Sequence, residues 1–275
     1  MVGAPVDGAT TFRSGARMGP TAIRNASLML TDGVNDRYPV DLRHHVGDAG
    51  DVALPAGYTS EMLDELTQAS LLLSDRHVVT LGGDHSITYG ILNAHWHRFG
   101  DRHLALVHFD AHCDTWDGHF GMRDGHGTWL RRAIEDDLVN PAHCISIGVR
   151  SPADQVARMF LDSNGGTTIS ARAAMGYPPS VMSAVIKSKV QDRPCYLSLD
   201  IDCLDPAYAP GTGTPEIGGL TSMWLMEVLE NLSDVNWIGM DCVEVAPAYD
   251  HSEITALAAA TFCWQYLSMN VQTHR

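Results

Sequence analysis

Five short apolar runs recur along the chain: HVVTL at 77–81, HLALVHF at 103–109, CISIGV at 144–149, CYLSLDI at 195–201 and WIGMDCV at 237–243. They read as buried strands. The intervening segments 59–75, 86–98, 127–138, 180–190, 221–232 and 251–268 are long enough for helices, and in one of them Leu225, Val228, Leu229 and Leu232 recur at helical spacing. Such alternation predicts an α/β fold, a parallel sheet with helices on both faces. A chain of 275 residues with no low-complexity tract, long charge block or repeat is expected to form one domain over 1–275.

The strands end in chemistry. GGDH follows the first run, DAHCD the second, DIDCLDP the fourth and CVEVAP the fifth. In open parallel sheets the loops after the strands' carboxyl ends share one crevice, so distant segments can build one site. Within LVHFDAHCDTWD, the side chains of Asp110, His112 and Asp114 stand at i, i+2 and i+4, and near-extended backbone would turn all three to one face.

Taken singly, each motif has an ordinary structural explanation. Gly82 and Gly83 make a tight turn, His85 is an interior histidine, Asp205 caps a loop, and an acidic loop after a strand is simply solvated. Three loops carrying such groups at matching strand ends argue for a site. His85, Asp110, His112, Asp114, Asp200 and Asp202 form a hard, oxygen-rich set. That is too many groups for one tetrahedral zinc and suits a pair of divalent ions such as manganese, with two aspartates bridging. Cations would also keep crowded carboxylates ionised that would otherwise take up protons.

Charge and cysteine usage narrow the class. With 33 acidic and 18 basic residues the formal charge is −15, which disfavours nucleic acid or an anionic membrane as partner and mildly favours a cationic small molecule. Six cysteines without a CxxC pair fit reduced, buried thiols. The N-terminal MVGAPVDGATTFRSGARMGP lacks signal-peptide blocks, and no apolar stretch approaches the ~20 residues that span a bilayer, so a cytoplasmic protein is expected.

GARMGP, GGDHS, HFDAHCDT, SLDIDCLDPAYAPGTGTPEIGGL and GMDCVEVAPAYDHSEITALAAAT resemble the ureohydrolase (arginase and agmatinase) family, most of all its agmatinase branch, and the likeness covers almost the entire chain. The resemblance implies a three-layer α/β/α fold with a largely parallel sheet, two manganese ions per subunit, and hydrolysis of a guanidino group to urea and an amine. It assigns one manganese to His85, Asp110, Asp114 and Asp200 and the other to Asp110, His112, Asp200 and Asp202, with Asp110 and Asp200 as bridges. It matches Glu244 to the carboxylate that pairs with the guanidinium, His126 to a proton-shuttling histidine and Thr214 to a pocket threonine. A homo-oligomer, trimer or hexamer, is the family expectation. Family members carry a longer segment before the first strand, so this chain is expected either to start truncated or to lack that arm.

The substrate the resemblance implies is agmatine, cleaved to urea and putrescine, as in polyamine biosynthesis. The loop TWDGHFGMRDG at 115–125 lacks the asparagine and serine pattern with which arginine hydrolases of the family hold an amino acid. Asp117 or Asp124 would accept a distal ammonium, whereas Arg123 pointed inward would favour a guanidino acid such as 4-guanidinobutyrate or 3-guanidinopropionate. Asp114 would orient the attacking water, and Asp114 or His126 would protonate the leaving amine. A non-catalytic metal-binding subunit would be expected to lose ligands or Glu244, and a one-zinc deacetylase-like hydrolase would need fewer carboxylates. His44, His45, His95, His97, His119 and His274 are expected at the surface, His119 being the one to watch because it lies between two motifs.

Overall fold

A computed structural model describes residues 1–30, 32–35, 37–55, 59–100 and 104–273. Seven strands form one sheet: β1 (Val2–Ala4), β2 (Val78–Gly82), β3 (Ala105–Phe109), β4 (Cys144–Val149), β5 (Thr167–Ser170), β6 (Cys195–Asp200) and β7 (Trp237–Val243). Their order is β1-β2-β7-β6-β3-β4-β5, and every pair is parallel. The five apolar runs are β2, β3, β4, β6 and β7; His103 and His274 lie outside the described residues. β5, with the sequence TTIS, pairs on one side only and is half-exposed, so no apolar run announces it.

Nine helices accompany the sheet among the described residues: α1 (Gly19–Ser27), α2 (Thr59–Leu72), α3 (Ile87–Phe99), α4 (Trp129–Glu135), α5 (Gln155–Ser163), α6 (Ala171–Ala174), α7 (Pro179–Val190), α8 (Ser222–Glu230) and α9 (Ile254–Thr273). Local signals set several starts. The Asp154 carboxylate accepts from the Ala157 amide before α5, and the Thr221 hydroxyl accepts from the Trp224 amide before α8, each satisfying an amide the helix leaves unpaired. Strand side chains alternate between two cores. Val107, Phe109, Leu197, Leu199 and Met240 join Ile23, Met182, Leu225 and Phe262 on the side of α1, α7, α8 and α9. Leu106, Tyr196 and Val243 join Leu66, Ile91 and Trp129 on the side of α2, α3 and α4. The result is the α/β/α layering the sequence implied.

On that second face one buried layer of the sheet is polar. Thr80, Asp241, Ser198, His108 and Ser146 stand in register across β2, β7, β6, β3 and β4. Their loops open at one edge, where β7 and β6 lie between β2 and β3 although β2 precedes β3 in the chain. Such a switch in strand order is where an α/β sheet leaves a crevice.

Candidate metal centre and substrate cavity

Three loops bring the six candidate ligands together above the polar layer. The side chain of His85, just past β2, places Nδ1 3.1 Å from Asp110 Oδ2, 3.2 Å from Asp114 Oδ2 and 3.0 Å from Asp200 Oδ2. His112 Nδ1 lies 3.2 Å from Asp110 Oδ1 and 3.1 Å from Asp202 Oδ2. Around one hard cation with bonds of about 2.1 Å, neighbouring octahedral ligands sit about 3.0 Å apart, which is the spacing of these His–Asp contacts. Among the described residues, the groups close enough to hold an ion are His85, His108, Asp110 and Asp114, and Asp110, His112 and Asp202, with Asp200 in neither. Asp110 divides its two oxygens between the sets and is the natural bridge. Asp200 turns Oδ2 to the first set while Oδ1 accepts the Asp202 amide at 2.8 Å.

The convergence does not arise as strand periodicity suggests. β3 stops at Phe109, and the loop beyond it turns through Asp114 at φ 53°, a left-handed conformation uncommon outside glycine. Leu130 and Arg131 amides at the start of α4 both donate to the Asp114 carbonyl, which holds that turn.

Burial and charge within the cluster oppose each other. Burial first, then the neighbouring Asp110 carboxylate, raises the Asp114 carboxyl well above its usual range, and burial followed by Asp202 and Asp110 does the same to Asp200. Burial alone would lower the pKa of His85, but Asp110, Asp200 and Asp114 raise it well above 6.5; Asp202 and Asp110 do likewise for His112. Protons here stand where cations would compensate the same carboxylates.

The candidate ligands are themselves held. His85 Nε2 pairs with Ser198 Oγ at 2.8 Å, Ser198 donates to Asp241 at 2.8 Å, and Thr88 donates to the other Asp241 oxygen at 2.9 Å. His108 Nε2 lies 2.8 Å from Asp110 Oδ2, with Nδ1 3.0 Å from Ser146 Oγ. His108 is close enough to be grouped with His85, Asp110 and Asp114. Sequence reasoning missed this supporting row. Its signal was a polar residue at the matching position of five otherwise apolar strands.

Over the cluster opens a cavity of about 450 Å³, lined in part by Arg13, His126, Thr214 and Glu216. Glu244 follows β7 at φ 63°, with its amide bonded to the Gly83 carbonyl at 2.9 Å. A Cβ on Gly83 would lie 2.3 Å from the Val6 carbonyl, so only glycine lets the segment after β1 pass this close to the loop that carries His85. Glu244 Oε1 accepts from the His85 amide and from His126 Nδ1, both at 2.9 Å. Oε2 is buried without a hydrogen-bond partner among the described residues. Burial opposes its charge, but His126 and the His85 amide outweigh that and hold the Glu244 carboxyl below its usual range.

Burial would lower the pKa of His126, and Glu244, Asp84 and Asp114 together push it up to about 9. The Thr11 amide nevertheless donates to His126 Nε2 at 3.1 Å, which requires a lone pair there. The geometry is therefore that of the neutral ring with its proton on Nδ1. Thr11 Oγ1, 2.8 Å from Nε2, connects that nitrogen to the cavity, a link the sequence did not reveal.

The rim differs from the sequence expectation. Asp117 pairs with Arg132 at 2.7 Å and Arg131 at 3.5 Å, Arg123 stands exposed 3.9 Å from Asp124, and none of Asp117, Arg123 and Asp124 lines the cavity. The charged lining residues outside the ligand set are Arg13 and Glu216. Arg13 lies over the Phe12 and Tyr249 rings, 5.1 Å from each centroid, and has no carboxylate partner among the described residues. Glu216 approaches His112 Nε2 at 4.0 Å, while Arg150 grips its carbonyl at 2.7 Å together with those of Asp202 and Leu204. His95 is buried between α3 and Tyr196 rather than at the surface, because the helix turns it onto the sheet. His119 is half-buried and lines the cavity, stacked near Trp116; His44, His45 and His97 are exposed. All six cysteines are buried and free.

Fold, paired ligand sets and buried carboxylate define a dinuclear-type hydrolase centre, and the family model for the arginase family matches residues 1–268: the chain belongs to that family. Within it the likeness is to agmatinases. An agmatinase of Edwardsiella ictaluri is 45% identical over 272 residues, a match covering 97% of this chain and 86% of that relative. A solved structure of a hypothetical agmatinase from Burkholderia thailandensis superposes with a TM-score of 0.89 at 41% identity, covering 98% of this chain and 84% of that one. Proclavaminate amidino hydrolase from Streptomyces clavuligerus gives 0.93 at 35% identity, with 99% and 91% covered.

Proposed function

We propose that this protein hydrolyses agmatine with one water to urea and putrescine, using two manganese ions held by His85, Asp110, Asp114 and Asp200 and by Asp110, His112, Asp200 and Asp202. One observation carries the reading: Glu244 Oε2 is a buried carboxylate oxygen without a hydrogen-bond partner among the described residues, on a side chain bonded to His85 and His126, which line the cavity beside the cluster. A cationic planar donor is what such an oxygen lacks. When bound, the two ions would supply the Lewis acidity that makes water a nucleophile near neutral pH. Glu244 Oε2 then accepts guanidinium N–H groups and holds the carbon above the cluster, with the Thr214 hydroxyl at the same wall. Asp114 orients the water. His126, kept in one tautomer by Glu244 and Thr11, passes a proton between the cavity and the departing amine.

A guanidino acid is the second reading, and it now rests on Arg13 instead of Arg123. Arg13 would meet a carboxylate tail, Glu216 an ammonium. Glu216 is a carboxylate lining the cavity that would accept an ammonium tail and repel a carboxylate one. That favours agmatine, as does the likeness to agmatinases. We further propose a cytoplasmic homo-oligomer, trimeric or hexameric, acting in polyamine biosynthesis; no helix among the described residues is long and apolar enough to cross a membrane. The test is urea release from agmatine, arginine, 4-guanidinobutyrate and 3-guanidinopropionate with manganese added. Agmatine should give the highest kcat/KM, and a higher value for 4-guanidinobutyrate that disappears in Arg13→Gln would establish the second reading.

A further inference from the structure

Trp129 opens α4, where the chain needs only a helix former, yet its indole is buried in the centre. The ring packs between two imidazoles, 4.8 Å from His85 and 5.2 Å from His108 between centroids. Its Nε1 donates to Asp114 Oδ2 at 2.6 Å, the same oxygen that faces His85 Nδ1. Leu130 and Arg131, the next two residues, donate their amides to the Asp114 carbonyl at 3.2 and 3.3 Å. Three consecutive residues therefore hold one aspartate by side chain and backbone, at a position whose positive φ is not self-sustaining.

We infer that Trp129 is a positioning residue: its indole N–H fixes the rotamer of Asp114, so that one carboxylate oxygen is presented to the first cation and the other is left for the substrate water. An indole N–H is a donor only. It cannot ligate a cation or exchange a proton with substrate, so its contribution is confined to aiming Asp114. The bond occupies one lone pair of Oδ2 and leaves another for a cation. Packing against His85 and His108 sets the indole itself, which ties the first-set histidine, the support of the bridging Asp110, and Asp114 to one rigid side chain. The inference rests on the two-cation reading above.

The test is manganese binding to Trp129→Phe, which keeps an aromatic ring and removes the N–H. Free manganese is followed by electron paramagnetic resonance in metal-free protein titrated with the ion alone. Loss of an outer hydrogen bond to a ligand should weaken binding of one of the two ions about 10- to 100-fold, with the melting temperature of the metal-free variant close to wild type. Saturating manganese should restore much of kcat. Trp116→Phe, which alters a cavity-lining ring without a bond to any ligand, should bind as wild type. Equal manganese affinity in Trp129→Phe and wild type would overturn the inference, as would equal weakening in Trp116→Phe. Wild-type protein that binds no manganese would instead fail the two-cation reading.

Should Trp129→Phe not fold, wild-type protein labelled with 15N at its indoles decides. One indole N–H signal protected from exchange and shifted on adding diamagnetic magnesium supports the inference; indole signals all indifferent to the ion contradict it.

Discussion

The floor and the rim of the cavity are built on different terms. On the floor, His85, Asp110, Asp114, Asp200, Asp202 and Glu244 are each at most 3% exposed, and Asp110 alone meets His85, His108 and His112. At the rim, among the described residues, Arg13 lies over two aromatic rings without a carboxylate partner, Phe12 is 70% exposed, and the one ionisable side chain near Glu216 is His112 at 4.0 Å. Water screens the rim and not the floor, so a charge is worth several times more below than above. The floor is thus suited to chemistry that must not vary, and the rim to discrimination that is easily retuned.

Changes to the floor should be the most damaging. Asp110→Asn, which removes charge from both ligand sets, should lower kcat/KM on the order of 10³-fold or more and reduce bound metal. His85→Asn and Asp202→Asn each disturb one set and should cost less; equal residual rates for all three at saturating manganese would break the division between sets. Glu244→Gln should lower kcat/KM roughly 10²- to 10³-fold while metal content, by elemental analysis, stays at the wild-type value. Normal turnover in that variant would remove Glu244 from the substrate site.

Metal removal makes the floor's charge visible as stability. In the metal-free protein, burial and neighbouring carboxylates raise Asp114 and Asp200, and surrounding carboxylates raise His85 and His112 despite burial. All four bind protons more tightly folded than unfolded, so this stability is present below the unfolded values, about 4 for Asp and 6.5 for His, and is lost as pH rises through the folded ones. The melting temperature of chelated protein should therefore fall between pH 5 and pH 8, and added manganese should restore it most at the higher pH. A melting temperature that climbs over that range without metal would contradict the charge assignment.

Rim substitutions should act on selectivity by smaller factors. Glu216→Gln should raise KM for agmatine about threefold to tenfold with little change in kcat, and Arg13→Gln should do the same for 4-guanidinobutyrate. Arg123→Ala, outside the cavity, should change either substrate by less than about twofold. A larger effect at Arg123 than at Arg13 would reverse the placement of the rim.

The same contrast explains what the sequence disclosed. Candidate ligands such as Asp110 and His112 stood out because hard, ionisable side chains directly after apolar runs have few other uses, and the structure brings them together because four of those strands are neighbours in the sheet. Five strands were visible for the same reason, whereas β1 and β5, short strands without such a run, were not. The rim was illegible. Arg13 and Glu216 reach one cavity from loops 203 positions apart in the chain, and Arg123, nearer in sequence to the ligands, points to solvent beside Asp124. Position in the chain is a poor guide where the backbone is irregular. His108 stood inside an apolar run and Trp129 inside a helix-length segment, and nothing in the sequence around either marked its polar nitrogen as bonded to a candidate ligand.

The proposed centre holds two cations. Its most direct test is to titrate manganese into metal-free protein, counting bound metal per chain by elemental analysis and following urea release from agmatine at each step. Full activity should arrive only as the second ion per chain is bound. Full activity at one ion per chain, unchanged by further loading, would contradict it.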